Sequence, residues 1–228
     1  MNSDSTEKIV VIIANGDTLK QKLKNCISEE DAIIAVDGGV INCQIVNIIP
    51  DFIVGDLDSI RFDLKKYFPA AEIIHNPDQE TTDMEKALNL AISLHPKKIN
   101  VFSAFGKRTD HTIGNILIFH KMIKLILDKS IELEIFDNFG KMRVLNSGTH
   151  EIKGEIGSTV SLFSIDPIQN LTLKGFRYNL KNQDFPNNFL GISNVYESEI
   201  CEINFDSGIL FLYDVFSDPN SDKPKPKN

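Results

Sequence analysis

Two hydrophobic rhythms run along the chain, and the change between them falls near Asn138-Phe139-Gly140. Before that point, short continuous apolar runs alternate with stretches of helical spacing. Residues 8–14 (Lys-Ile-Val-Val-Ile-Ile-Ala) and 32–36 are β-branched runs of the kind found in strands buried on both faces, as in parallel sheets. Residues 52–54, 72–75, 99–104 and 131–136 read as further strands. Between them, helices are expected over 19–27, over 61–68 where Pro69 stops the turn, from Thr82 to Pro96, and over 112–127. Thr82 and Glu85 have capping-box spacing, and Met84, Ala87, Leu88 and Ala91 then mark one apolar face. Strands alternating with helices predict a Rossmann-like, mostly parallel α/β domain over residues 1–138.

After the change, short alternating runs at 142–145, 149–152, 159–164, 168–173, 176–180, 199–205 and 209–216 are separated by turns. They predict an antiparallel β-sandwich over residues 139–216. A domain this small is expected to pack on the first domain or on another copy of the chain. The tail, 217–228, alternates Pro, Lys, Asp and Asn and is expected to be disordered.

Composition narrows the function. The net charge of −8 argues against a general nucleic-acid or anionic-membrane surface, which needs a basic footprint. No uninterrupted apolar stretch reaches the ~18 residues of a membrane span. The polar, acidic first eight residues do not read as a signal peptide. Cys26, Cys43 and Cys201 are scattered, without a C-x-x-C pair, and suit reduced thiols better than a disulfide framework or zinc site. A cytoplasmic location is the expectation.

The chemistry concentrates in four loops that follow strands: Asp37-Gly38-Gly39, Gly55-Asp56-Leu57-Asp58-Ser59, residues 78–83 (Asp-Gln-Glu-Thr-Thr-Asp), and Arg108-Thr109-Asp110-His111. In a parallel sheet such loops converge on one edge, where ligands bind. Carboxylates gathered there repel one another unless something cationic binds between them, and Mg²⁺ takes oxygen ligands of this kind. Each residue also has a plainer explanation. Gly, Asp and Ser are turn formers, and Thr82 and Asp83 are good helix caps. Arg108 could be a solvated charge and His111 a structural hydrogen-bonder. No Walker A phosphate loop is present.

In this order, the four loops resemble those of the thiamine pyrophosphokinase (thiamine diphosphokinase) family. Residues 171–180 (Leu-Thr-Leu-Lys-Gly-Phe-Arg-Tyr-Asn-Leu) and Ser193-Asn194 look like that family's second signature, so the resemblance covers about residues 9–215. It implies transfer of diphosphate from ATP to the hydroxyethyl group of thiamine, leaving AMP. It further implies a homodimer, with thiamine between the α/β domain of one chain and the β domain of the other. On this basis Asp56, Asp58 and Asp83 are expected to hold Mg²⁺ and carry catalysis. Asp37, Gly38, Gly39, Gln79, Thr82, Arg108, Asp110 and His111 are expected around the nucleotide and phosphates. Tyr178, Ser193 and Asn194 are expected around thiamine. The sequence departs from the family in carrying Lys107 where Gly is common, and Tyr178 where some members have Trp. Two alternatives stay open: a diphosphokinase for another acceptor such as a hydroxymethylpterin, and a sensor that binds without turnover.

Overall fold

The computed structural model describes residues 8–17, 20–58, 60–78 and 80–216. Gln79, Ser59 and the 217–228 tail therefore lie outside the described residues. The chain divides into two compact units between Asn138 and Phe139.

The first unit carries strands β1 (Ile9–Ile13), β2 (Ala32–Val36), β3 (Phe52–Gly55), β4 (Glu72–His75), β5 (Lys98–Phe102) and β6 (Glu132–Phe136). They pair in parallel in the order β6-β5-β1-β2-β3-β4. Val10 to Ile13 of β1 are fully buried, as their continuous apolar run requires. Helices α1 (Lys20–Asn25), α2 (Gly39–Val46), α3 (Leu64–Tyr67), α4 (Asp83–Ser93) and α5 (Thr109–Asp128) complete the unit. The chain steps from β1 through β4 to one side, then returns to β5 on the other side of β1. The strand order thus reverses between β1 and β5, and a crevice opens at their carboxyl ends.

Helix α4 forms as its sequence dictates. Thr82 Oγ1 accepts the Glu85 N–H at 3.2 Å and caps the helix. Met84, Ala87, Leu88, Ala91 and Ile92 are buried where α4 packs over β1, β2 and β3, at about 1.5–3 kcal/mol for each large side chain removed from water. The Glu85 side chain does not return to the cap. It accepts from Lys121 Nζ of α5 at 2.6 Å.

Helix α2 was not expected from the sequence. Val40, Cys43 and Val46 are buried, yet the outward Ile41 and Ile45 are apolar too. Apolar β-branched residues on the outward face as well as the buried one blur the helical period. Gly39 opens α2 for a packing reason: a Cβ there would lie 2.1 Å from the Ile13 carbonyl oxygen of β1.

The second unit is antiparallel: β7 (Gly140–Lys153), β8 (Thr159–Ser164), β9 (Ile168–Lys174), β10 (Leu180–Phe185), β11 (Phe189–Val195) and β12 (Ile200–Val215). The long β7 and β12 pair along their length, with a register shift between Phe205 and Ile209 where Gly208 takes φ +103°. Before the shift, β12 pairs with β9; after it, β12 pairs with β8, which carries β11. One strand pair thus serves two sheets. Val160 and Leu162 of β8 meet Leu171 and Leu173 of β9 in one buried cluster between them. Four runs expected as separate strands merge into β7 and β12, because Asn146-Ser147-Gly148 and Asp206-Ser207-Gly208 read as turns but lie within continuous strands. The expected strand over 176–180 is instead a turn, docked through a Phe176–Tyr196 bridge. Among the described residues, no helix is long and apolar enough to cross a membrane.

Candidate active site

The carboxyl ends of the first unit's parallel strands surround a cleft of about 680 Å³. Its lining draws on every loop that the sequence singled out: Asp37 after β2, Asp56 and Asp58 after β3, Asp78, Thr82 and Asp83 after β4, and Arg108, Asp110 and His111 after β5. Gly38 and Gly39 are buried beside it and are not part of the lining.

Asp37, Asp56 and Asp58 each offer a carboxylate oxygen, and these oxygens lie within 4.8 Å of one another. The backbone that presents them is constrained. Asp37 takes φ 44° while its N–H is held by the Val54 carbonyl at 2.8 Å. Leu57, between the other two, takes φ 61°, a conformation a branched side chain disfavours. Gly55 permits the approach of β3 to β2, since a Cβ there would sit 3.1 Å from that of Asp37. Such an all-oxygen set suits a hard divalent cation.

Asp83 stands at the first turn of α4, a little apart from this trio. Burial pushes its carboxyl pKa up, and the charges of Asp56 and Asp37 push it further. Lys86 opposes that shift. Its side chain is 6% exposed, and Nζ donates to Asp83 Oδ1 at 3.1 Å and to the Asn76 carbonyl at 2.9 Å. The lysine therefore ties the start of α4 to the β4–α4 loop. Within that loop, Asp78 accepts from the Glu80 N–H at 3.0 Å and from Thr81 Oγ1 at 2.7 Å, bonds that lower its pKa.

After β5, Arg108 and Asp110 form an exposed fork-to-carboxylate pair at 2.6 Å (Nη2) and 3.1 Å (Nε), which holds the Asp110 pKa down at about 2. Asp110 Oδ1 also accepts the His111 N–H at 3.0 Å. Lys107 takes φ 56°, a left-handed conformation that glycine adopts more readily, and its Nζ donates to the Asn15 carbonyl at 2.6 Å.

Sequence reasoning missed the loop after β1 as part of the site. Asn42 of the unanticipated α2 donates to the Ala14 carbonyl at 2.8 Å and the Gly16 carbonyl at 3.2 Å, and Gly16 N–H donates to the Ser103 carbonyl at 2.6 Å. Lys86 was missed as well. Its signal was its place three residues after Asp83, on the same helical face.

In the second unit, Tyr178 and Ser193 are exposed and Asn194 is buried. Ser193 takes φ 60° at a register shift in the β11–β8 pairing, and its N–H donates to Ser161 Oγ at 3.0 Å.

Known proteins share both units. Residues 23–133 match the family model of the thiamin pyrophosphokinase catalytic domain, and residues 149–210 match that of the thiamin pyrophosphokinase vitamin B1 binding domain. A thiamine pyrophosphokinase of Bacillus subtilis is 31% identical over 214 residues, spanning 90% of this chain and 97% of the relative.

The chain belongs to the thiamine pyrophosphokinase family.

A crystal structure of thiamine pyrophosphokinase from Bacillus subtilis superposes with a TM-score of 0.80 at 27% identity, covering 92% of this chain and 99% of that one. A rice family member, thiamine pyrophosphokinase 1, is 30% identical over 178 residues, spanning 71% of this chain and 65% of the relative. The Candida albicans enzyme, at 20% identity and a TM-score of 0.75, shares the fold.

Proposed function

We propose that this protein transfers diphosphate from ATP to the hydroxyl of thiamine, giving thiamine diphosphate and AMP. The observation that carries the proposal is the Asp37, Asp56 and Asp58 trio set in a nucleotide-sized cleft within a family-matching unit. The donor set fits Mg²⁺, and we assign Asp56, Asp58 and Asp83 as its holders, with Asp37 close enough to join them. A bound Mg²⁺ supplies charge that offsets the phosphates and helps orient them.

The chain's own residues do the rest. Catalysis of this reaction is mostly positioning and charge stabilisation. Lys86 holds the Asp83 carboxylate by one oxygen, Oδ1, and Asp83 lines the cleft. The N-terminus of α4, with Thr82 as its cap, favours phosphate, and Gln79 is assigned beside it. Arg108 donates Nε and Nη2 to Asp110, which orients the guanidinium, and its remaining N–H groups are offered to phosphate oxygens. His111 and the Gly38-Gly39 turn complete the proposed nucleotide surroundings. Asp56 or Asp83 takes the proton of the attacking hydroxyl.

Thiamine is assigned to the second unit, where an exposed Tyr178 ring suits stacking on a cationic heteroaromatic. The match of residues 149–210 to a vitamin B1 binding domain favours thiamine over a pterin acceptor. The protein is proposed to act as a homodimer, with the acceptor between the α/β unit of one chain and the β unit of the other. Exposed Leu190 and Ile192 on β11 supply apolar surface for such a contact. Three free cysteines suit a reducing compartment such as the cytoplasm.

The test is an end-point assay with ATP, Mg²⁺ and thiamine, separating nucleotides and thiamine esters by chromatography. Equal amounts of AMP and thiamine diphosphate are expected. ADP with thiamine monophosphate would overturn the reaction type. ATP binding without turnover would favour the sensor.

A further inference from the structure

Asn194 is 3% exposed, and its side chain is already committed. Oδ1 accepts the Tyr178 N–H at 3.0 Å and the Val195 N–H at 2.9 Å, while Nδ2 donates to the Tyr178 carbonyl at 3.0 Å. The opposite amide orientation would set an NH₂ against two N–H donors, so this one is fixed by its partners. Both acceptor sites and one of two donor hydrogens are in use, leaving at most one N–H for any ligand. The side chain thus acts as a short strand rung, pairing with both backbone polar groups of Tyr178.

The turn on which Tyr178 sits is held from other directions too. Arg177 N–H donates to the Val195 carbonyl at 2.9 Å, and Asn179 Oδ1 accepts the Phe176 N–H at 3.2 Å. Gly175 takes φ +85° and packs so closely on Cys201 that a Cβ would meet Sγ at 2.9 Å. Yet Tyr178 is 65% exposed. A turn held by several hydrogen bonds therefore displays an exposed aromatic residue.

We infer that Asn194 is a positioning residue of the acceptor site, acting through Tyr178 rather than by touching the acceptor itself. The inference deepens the proposed thiamine site and rests on that reading. Holding the turn in its binding geometry removes an ordering cost that the acceptor would otherwise meet on binding.

The chain contains no tryptophan, so Tyr178→Trp creates a single fluorescent reporter on this turn. Its anisotropy and iodide quenching are measured without thiamine, alone and combined with Asn194→Ala or Asn194→Asp. Steady-state kinetics of Asn194→Ala and Asn194→Asp follow in the Tyr178 background. Loss of the clamp is expected to lower the anisotropy and raise the thiamine KM about tenfold, with the ATP KM and kcat nearly unmoved. If Asn194→Ala loses cooperative unfolding, Asn194→Asp carries the test. It keeps the accepted bonds and loses the donated one, and a smaller loosening is expected. Unchanged anisotropy with an unchanged thiamine KM would overturn the inference, as would a kcat loss at constant thiamine KM. A loosened indole together with no thiamine turnover in any background would support the clamp and strike the proposed acceptor instead.

Discussion

The cleft of the first unit and the Tyr178 surface of the second face opposite physical problems. In the cleft, three carboxylates converge within 4.8 Å and a fourth, half-buried, lies nearby, so the fold must hold like charges together against repulsion. It does so with left-handed backbone at Asp37 and Leu57, close strand approach at Gly55, and one buried cation, Lys86. Around Tyr178 no charge needs containing. The fold must instead keep an apolar ring in water on a turn that stays rigid, and uncharged amides of Asn194 and Asn179 secure it. Electrostatic work calls for stored strain and a counter-charge, whereas recognition of an aromatic cation calls for preorganised exposure.

The sharpest way to separate the two regions is Asp58→Asn. It is expected to lower AMP release on the order of 100-fold or more, the scale for a preorganised electrostatic group, without unfolding the protein. Turnover equal to the parent's would remove Asp58 from the metal set.

Lys86→Met comes next. It strands Asp83 without its cation, at a cost of roughly 2 kcal/mol, less than the ~3–5 of a fully buried pair because the Asp83 side chain keeps 26% exposure. Urea unfolding measures this. Adding Asp83→Asn is expected to restore much of the loss, whereas strictly additive losses would deny the coupling.

Tyr178→Ala is expected to raise the thiamine KM about tenfold, the value of one aromatic contact, with the ATP KM unmoved. Equal shifts in both KM values would collapse the distinction between the regions.

The smallest effect concerns pH. The folded pKa of Asp83 is raised above its ordinary value of 3.8, so near that pH the folded state binds more protons than the unfolded state. Stability contributed by Asp83 is therefore present below 3.8 and lost as pH rises through the raised value. In metal-free buffer, the parent is expected to gain stability relative to Asp83→Asn as pH falls from neutral toward 3, read as the difference between their unfolding temperatures. A parent that loses stability relative to the variant as pH falls would contradict the sign.

Most of the parallel sheet was legible because buried β-branched runs such as residues 9–13 have few other uses. The acidic loops were legible because Asp56 and Asp58, so near each other, have little structural purpose. Helix α2 was hidden by the apolar residues on its outward face, and the bulged β7–β12 pair by polar residues that mimic turns. Lys86 was hidden because a lysine on a helix is ordinarily a solvated charge, and only tertiary packing buries it. Asn194 was singled out in the sequence as a candidate for the acceptor's surroundings. Its commitment to the Tyr178 backbone depends on the register shift in β11, which no local pattern announces.

Manganese can stand in for magnesium at an oxygen site and is visible by electron paramagnetic resonance. Titrating Mn²⁺ into the protein with a non-hydrolysable ATP analogue, beside Asp58→Asn, asks whether the carboxylates at the strand ends hold the metal. Tight, nucleotide-dependent Mn²⁺ binding that is lost in the variant is the expected result. Equal binding in both proteins would mean that the metal sits elsewhere, and that the acidic edge does not carry the chemistry assigned to it.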